Sequence, residues 1–258
     1  MIRSLSGRTV VLTRPKALSL RLSRTLEERG AKVVCAPLIR TVAPRSFRAL
    51  DEALGLLDRY ETVVFASANA VDFFFARAEK ILGKKPKKPR WIAAVGPATA
   101  KALSRHGWTA GILPEDSRSE GLAKTLKPLG KNSRVLIPRA ERGREALPRL
   151  LRAAGMKVRL ATAYRTLADR QGRKILRHAL SSGADAVCFA SPSAVASAAS
   201  ALGGSRMKTI FQTTAAVAIG PTTAAALRGR GVRPASVSKR PDAESFAKAV
   251  LLALKTKP

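Results

Sequence analysis

One near-constant register shift maps most of this 258-residue chain onto itself, which restricts the fold more than any single motif does. At an offset of 125, Val10 falls on Val135, Arg14 on Arg139, Gly30 on Gly155, Lys32-Val33 on Lys157-Val158, and Arg40-Thr41 on Arg165-Thr166. At an offset of 124, Phe65-Ala66-Ser67 falls on Phe189-Ala190-Ser191, Gly107 on Gly231 and Glu120 on Glu244. Ordered matches of this kind are the trace of an internal duplication. The clearest pair is Ala94-Val95-Gly96-Pro97-Ala98-Thr99-Ala100 and Ala218-Ile219-Gly220-Pro221-Thr222-Thr223-Ala224. Each copy ends an apolar run, turns on Gly-Pro and enters an alanine-rich stretch, so each reads as a strand, a corner and a helix.

The same reading extends along the chain. Thr9 to Thr13 predicts a short buried strand, Leu18, Leu22 and Leu26 predict one face of a helix stopped by Gly30, and Lys32 to Ala36 predicts a second strand. That is a βαβ unit, the seed of a parallel sheet. Pro37 to Pro44 is bounded by prolines and reads as an extended linker, followed by a helix over Ser46 to Leu57. Strand, polar corner and helix recur at Thr62 to Ala66 with Ser67, and at Trp91 to Val95 with Gly96. The pattern restarts at Arg118, and a copy of the opening unit begins at Arg134. The expected fold is α/β: two similar parallel-sheet domains from an internal duplication, with polar corners at the carboxyl ends of strands, where ligands of such sheets bind. Residue order alone suggests two consecutive domains, with a ligand held in the cleft they form.

Forty-eight Lys and Arg against 17 Asp and Glu leave a formal charge of +31, a field that attracts polyanions: nucleic acid, an anionic membrane or a small polycarboxylate. Cys35 and Cys188 stand alone in apolar contexts, and His106 and His178 are single as well, so neither a disulfide nor a Cys-based metal site is expected, and a reducing cytoplasmic compartment is. Met1 to Arg8 is short and polar and does not resemble a signal peptide, so none is expected, and no run approaches the roughly 20 apolar residues of a membrane-spanning helix. Nucleotide-binding glycine patterns are absent too.

The corners carry the candidate chemistry. The first N–H groups of a helix lack intrahelical partners and sit at the positive end of its dipole, and Thr99, Thr222 and Thr223 add hydroxyls there, a setting suited to carboxylate or phosphate. Gly-Pro followed by Thr also simply starts a helix. Ser191 and Ser193, in Phe189-Ala-Ser-Pro-Ser, lack the flanking glycines of a nucleophile elbow and read as anion ligands or helix caps. Arg14 and Arg139 each follow the first strand of a repeat, where a guanidinium could clamp a carboxylate or remain one more solvated cation. Tyr164, in Ala-Thr-Ala-Tyr-Arg-Thr, could donate a proton or hydrogen bond, or pack as an aromatic at a junction. The basic stretch from Gly83 to Arg90 lacks the aromatic residues of a single-strand binder and reads as a solvated surface.

The series Val10-Val-Leu-Thr-Arg14, Phe65-Ala-Ser67, Val95-Gly-Pro-Ala-Thr99, Ala163-Tyr-Arg-Thr166, Phe189-Ala-Ser-Pro-Ser193 and Ile219-Gly-Pro-Thr-Thr223 resembles the uroporphyrinogen-III synthases over roughly residues 9 to 252. The resemblance implies a monomeric, cofactor-free, cytoplasmic lyase of tetrapyrrole biosynthesis that dehydrates and cyclises hydroxymethylbilane with inversion of its last pyrrole ring. It also implies an interleaved layout. Residues 1–37 with 166–258 would form one domain and 42–161 the other, joined by segments at about 37–42 and 161–166. On this reading Tyr164 assists departure of the hydroxyl, while Arg14, Ser67, Gly96, Thr99, Arg139, Ser191, Ser193, Gly220, Thr222 and Thr223 receive the substrate's carboxylates. The rival expectation is a basic nucleic-acid-binding protein on the same duplicated scaffold. A two-lobed periplasmic-type ligand-binding protein is a third, disfavoured by the absent export signal.

Overall fold

Parallel pairing dominates the computed structural model, which describes residues 4–116 and 118–255. The chain runs through β1 (Thr9–Leu12), α1 (Lys16–Glu27), β2 (Lys32–Cys35), β3 (Ile39–Val42), α2 (Arg48–Gly55), β4 (Thr62–Phe65) and α3 (Ala68–Leu82). It continues with β5 (Trp91–Ala94), α4 (Pro97–Arg105), α5 (Ser119–Leu126), β6 (Arg134–Ala140), α6 (Ala146–Ala153), β7 (Lys157–Ala168) and α7 (Arg170–Ser181). The last elements are β8 (Ala186–Phe189), α8 (Pro192–Leu202), α9 (Gly204–Thr213), β9 (Ala215–Ala218), α10 (Pro221–Arg228), β10 (Ser236–Val237) and α11 (Ala243–Lys255). Among the described residues no helix is long and apolar enough to cross a membrane.

Two five-stranded sheets result, ordered β10-β9-β8-β1-β2 and β3-β7-β6-β4-β5. All the ladders of the first are parallel, as are β7 with β6, β6 with β4, and β4 with β5 in the second. Helices cover both faces of such a sheet, which is why its strands read as unbroken apolar runs. The chain divides into two compact units, Met1–Arg40 with Leu167–Pro258, and Thr41–Thr166. The duplication is visible in the ladders. Val10 lies opposite Ala186 in the first sheet and Val135 opposite Thr62 in the second, so the two sequence shifts carry one pair onto the other.

Each sheet separates two apolar layers. Val11, Val187 and Phe189 face one layer of the first unit, and Val10, Leu12 and Cys188 face the other. In the second unit Val63 and Phe65 face one layer and Val64 the opposite one. Phe65, Phe74 and Trp108 interlock there, Phe65 meeting Phe74 edge-on at 5.3 Å and Trp108 at 6.4 Å. Burying each such ring contributes about 2–3 kcal/mol.

Three expectations change in detail. Residues 39–42 are not bare linker but β3, an edge strand beside β7, and 161–166 lies inside β7. The flanking prolines fall outside the paired residues, so they cost the ladder nothing. Just before β3 the chain is clamped: the Leu38 carbonyl accepts from the Asp169 N–H at 3.0 Å and the Ser197 hydroxyl at 2.7 Å, while Arg173 Nε donates to Ser197 Oγ at 2.9 Å. Gly172 packs so closely on the Pro37 carbonyl that a Cβ there would collide with it. In α1 the buried face is Ser19, Leu22 and Leu26, with Leu18 61% exposed. Spacings of three and four are both helical, and the small serine suits the tighter contact in the first turn. The helix expected over Ser46 to Leu57 is shorter: Ser46 Oγ accepts the Arg48 N–H at 3.2 Å at its start, and a 3-10 turn at Leu57–Arg59 follows its end.

Candidate functional site

Strand order gathers the candidate residues at the carboxyl edge of each sheet. In the first unit β1, β8 and β9 are neighbours, so Arg14, the Ser191-Ser193 corner and the Gly220-Thr223 corner leave one sheet edge side by side. The N–H and hydroxyl of Thr13 both donate to the Cys188 carbonyl, at 3.2 and 2.7 Å, and fix the end of β1 against β8. Arg14 follows. It is half-buried, its guanidinium has no hydrogen bond or ion pair among the described residues, and burial pulls its pKa below the usual arginine value. A partly desolvated cation without a partner is unfavourable until an anion arrives.

In the second unit β7, β6, β4 and β5 are neighbours and bring Tyr164, Arg139, Ser67 and the Gly96-Thr99 corner to the equivalent edge. Arg139 is occupied. Its side chain is only 11% exposed, Nη1 pairs with Glu145 at 2.7 Å, and the guanidinium lies against Gly143. Tyr164 sits where the β6 register shifts, opposite Ala140, and its carbonyl accepts the Glu141 N–H at 2.8 Å. The ring is 8% exposed and stacks on Phe73 with centroids 5.5 Å apart, and its hydroxyl lies 3.1 Å from Ser67 Oγ.

Two kinds of corner alternate along these edges. Ser67 and Ser191 are working caps in extended backbone, their hydroxyls accepting the Ala70 and Ala194 N–H groups at 3.1 Å each. Gly96 and Gly220 occupy the same cap position without a side chain to offer, and Pro97 and Pro221 begin the helices behind them. Their first-turn N–H groups are not capped by any side chain. Thr99 and Thr223 are 4% and 3% exposed, and neither hydroxyl has a partner among the described residues. Thr222 and Ser193 are exposed.

Sequence reasoning missed Thr13, Glu145 and Phe73, whose roles depend on contacts across loops or strands. Burial pushes the Cys188 thiol far above its usual range and raises that of Cys35 as well, so neither is an available thiolate near neutral pH. Among the described residues no group of three or more His, Cys, Asp or Glu could hold a metal ion.

Comparison with known proteins identifies the pattern. The family model described as uroporphyrinogen-III synthase HemD matches residues 21–248. A protein of Methanothermobacter thermautotrophicus, provisionally named a uroporphyrinogen-III synthase, is 31% identical over 230 residues, 86% of this chain and 90% of that protein. The uroporphyrinogen-III synthase of Chlorobaculum parvum is 27% identical over 253 residues, 96% of this chain and all (100%) of its own. Among solved structures, a mutant uroporphyrinogen III synthase of Thermus thermophilus aligns with a TM-score of 0.70 at 22% identity, covering 97% of this chain and 100% of that one. At that identity the likeness speaks to the fold.

Proposed function

The chain belongs to the uroporphyrinogen-III synthase family, and from that membership we infer its reaction: hydroxymethylbilane loses water and closes to uroporphyrinogen III with its last pyrrole ring inverted. This is a lyase step of tetrapyrrole (haem) biosynthesis. Family membership gives no support to nucleic-acid binding as the principal role.

The observation that carries the site assignment is the pair of Gly-Pro corners, whose helix starts have no side-chain cap and whose Thr99 and Thr223 hydroxyls have no partner among the described residues. They suit the acetate and propionate groups of the substrate. Arg14 is the charged member of the set, because a carboxylate would complete its empty hydrogen-bonding fork. Ser67, Ser191, Ser193 and Thr222 complete the two binding edges, while Arg139 contributes through the loop it holds by Glu145.

Tyr164 is the residue we assign to the departing hydroxyl. Ser67 Oγ already accepts the Ala70 N–H, so its own proton can be donated to the Tyr164 oxygen 3.1 Å away, leaving the phenol proton free for the substrate. Donation to the leaving oxygen releases water and an azafulvene cation stabilised by its own pyrrole nitrogen. The last ring attacks through its substituted carbon, and the resulting spiro intermediate fragments and recloses with that ring reversed. Loss of a proton from the cyclised cation neutralises the product, and its return to the Tyr164 phenolate restores the phenol. The unrearranged isomer I forms without help, so the protein's main task is to hold the bilane in the shape that leads to isomer III, an orientation effect worth several kcal/mol.

Freshly generated hydroxymethylbilane, incubated with the protein and resolved into isomers III and I, tests this directly. Wild type should yield isomer III, and Tyr164→Phe should lower turnover about 10²-fold with an unchanged melting curve. Unchanged turnover in Tyr164→Phe would remove the phenol from the mechanism; isomer I alone from wild type would remove the reaction.

A further inference from the structure

The site above leaves most of the +31 charge unexplained, and one part of it is built in an unusual way. Five of the eight residues from 83 to 90 are Lys or Arg, with no acid among them. Gly83, at φ 62°, ends α3 and starts this loop. Pro86 is buried and Pro89 half-buried, whereas Lys84, Lys85, Lys87, Lys88 and Arg90 are all exposed. Prolines thus pin the backbone to the body of the second unit and hold every cation outward. None of the five has an ion pair among the described residues; Arg90 lies over the Trp91 ring at 5.7 Å. Five like charges held together without a salt bridge among the described residues repel one another, and a stiffened backbone prevents them from relaxing apart. Lys84 and Lys85 also line a pocket of about 370 Å³ with Glu79, Arg105 and His106, the last two of which share Asp72.

We propose that this ridge is an accessory docking surface for the phosphate backbone of double-stranded nucleic acid, read without regard to base sequence. The cations are unpaired, closely spaced and presented by a backbone that loses little freedom on binding, so a run of phosphates can displace their counterions. Among the loop's apolar side chains, the prolines turn inward, which leaves no hydrophobic anchor of the kind a protein interface needs at its centre. Residues 83–90 include no aromatic side chain on which single-stranded bases could stack. The loop enters β5 at its amino end, whereas Gly96 follows its carboxyl end. The ridge and the corner therefore lie at opposite edges of one sheet, and nucleic acid should bind without competing with the bilane.

Fluorescence anisotropy of a labelled 20-base-pair duplex, titrated with the full chain between about 50 and 200 mM salt, tests the assignment. Two charge-matched variants decide where the contact lies. One carries Lys84→Gln, Lys85→Gln, Lys87→Gln and Lys88→Gln; the other carries Lys124→Gln, Lys127→Gln, Lys174→Gln and Lys208→Gln. The loop variant should lose affinity tenfold or more and flatten the salt slope by about three to four, while the control changes less than about threefold. Isomer III formation should be unchanged in the loop variant and unaffected by added duplex in wild type. Equal losses in both variants, or none in either, would overturn the ridge as the site. Tenfold preference between two unlike duplexes, or binding confined to vesicles of anionic phospholipid, would overturn the occupant. Because turnover is read separately, failure of this proposal and failure of the ring-closure assignment are distinguishable.

Discussion

Arg14 and Arg139 hold the same place in the two halves of a duplicated chain, yet they have opposite circumstances. Arg139 has its side chain 11% exposed, paired with Glu145 at 2.7 Å and folded over Gly143. Arg14 is half-buried, has no partner among the described residues, and carries a pKa lowered by desolvation. The opening unit has Pro15 and the start of α1 directly after Arg14, so no acidic loop can fold back over it. Its counterpart has the longer Glu141 to Glu145 loop, which supplies one. Duplication copied the corner but not the use of the side chain, and divergence in a few loop residues left one guanidinium structural and the other available.

The most forceful way to break that contrast is to truncate each arginine. Arg14→Ala should raise KM for hydroxymethylbilane about tenfold to a hundredfold, the range of a charge-assisted hydrogen bond, with an unchanged melting temperature. Arg139→Ala should do the reverse: about 1–3 kcal/mol of stability lost in chemical denaturation, from packing more than from an ion pair whose acid is largely exposed, with KM moved less than about threefold. Swapped outcomes would mean that the two roles are misassigned. The corner types offer a finer comparison. Thr223→Val keeps the buried volume and removes the unpartnered hydroxyl, so KM should rise about fivefold; Ser191→Ala removes a cap and should cost about 1 kcal/mol of stability. Of similar size is Gly143→Ala, which would place a Cβ about 2.5 Å from the Arg139 guanidinium. Because only the mobile end of that side chain need move, we expect a loss of about 1 kcal/mol, with Arg139 released toward the condition of Arg14.

These distinctions mark what the residues disclose in order and what they do not. The duplication, the parallel sheets and the corners were legible because each is local or periodic: an apolar run, Gly-Pro, an alanine-rich helix, repeated at one offset. The buried face of α1 was misjudged by one residue because Leu18 fits helical spacing as well as Ser19 does, and only packing chooses. β3 was hidden because a proline-bounded segment looks unpaired until its neighbour β7, more than a hundred residues on, is placed beside it. The contact between Tyr164 and Ser67 spans 97 residues, and no pattern in either neighbourhood announces it. Glu145 looked like one more charged loop residue, since its partner is chosen by how the chain folds back.

The division of the chain also sets an order of events during synthesis. Thr41–Thr166 is contiguous and can collapse as soon as it clears the ribosome, whereas the other unit is made from both ends of the chain. The Thr9 N–H binds Asp185, 176 residues later, and at about 5–20 residues per second that wait is on the order of ten to thirty seconds. Throughout it the apolar strand Val10-Val11-Leu12 lacks its β8 neighbour. The contiguous unit can therefore mature first, and β1 is the stretch a holding chaperone would cover.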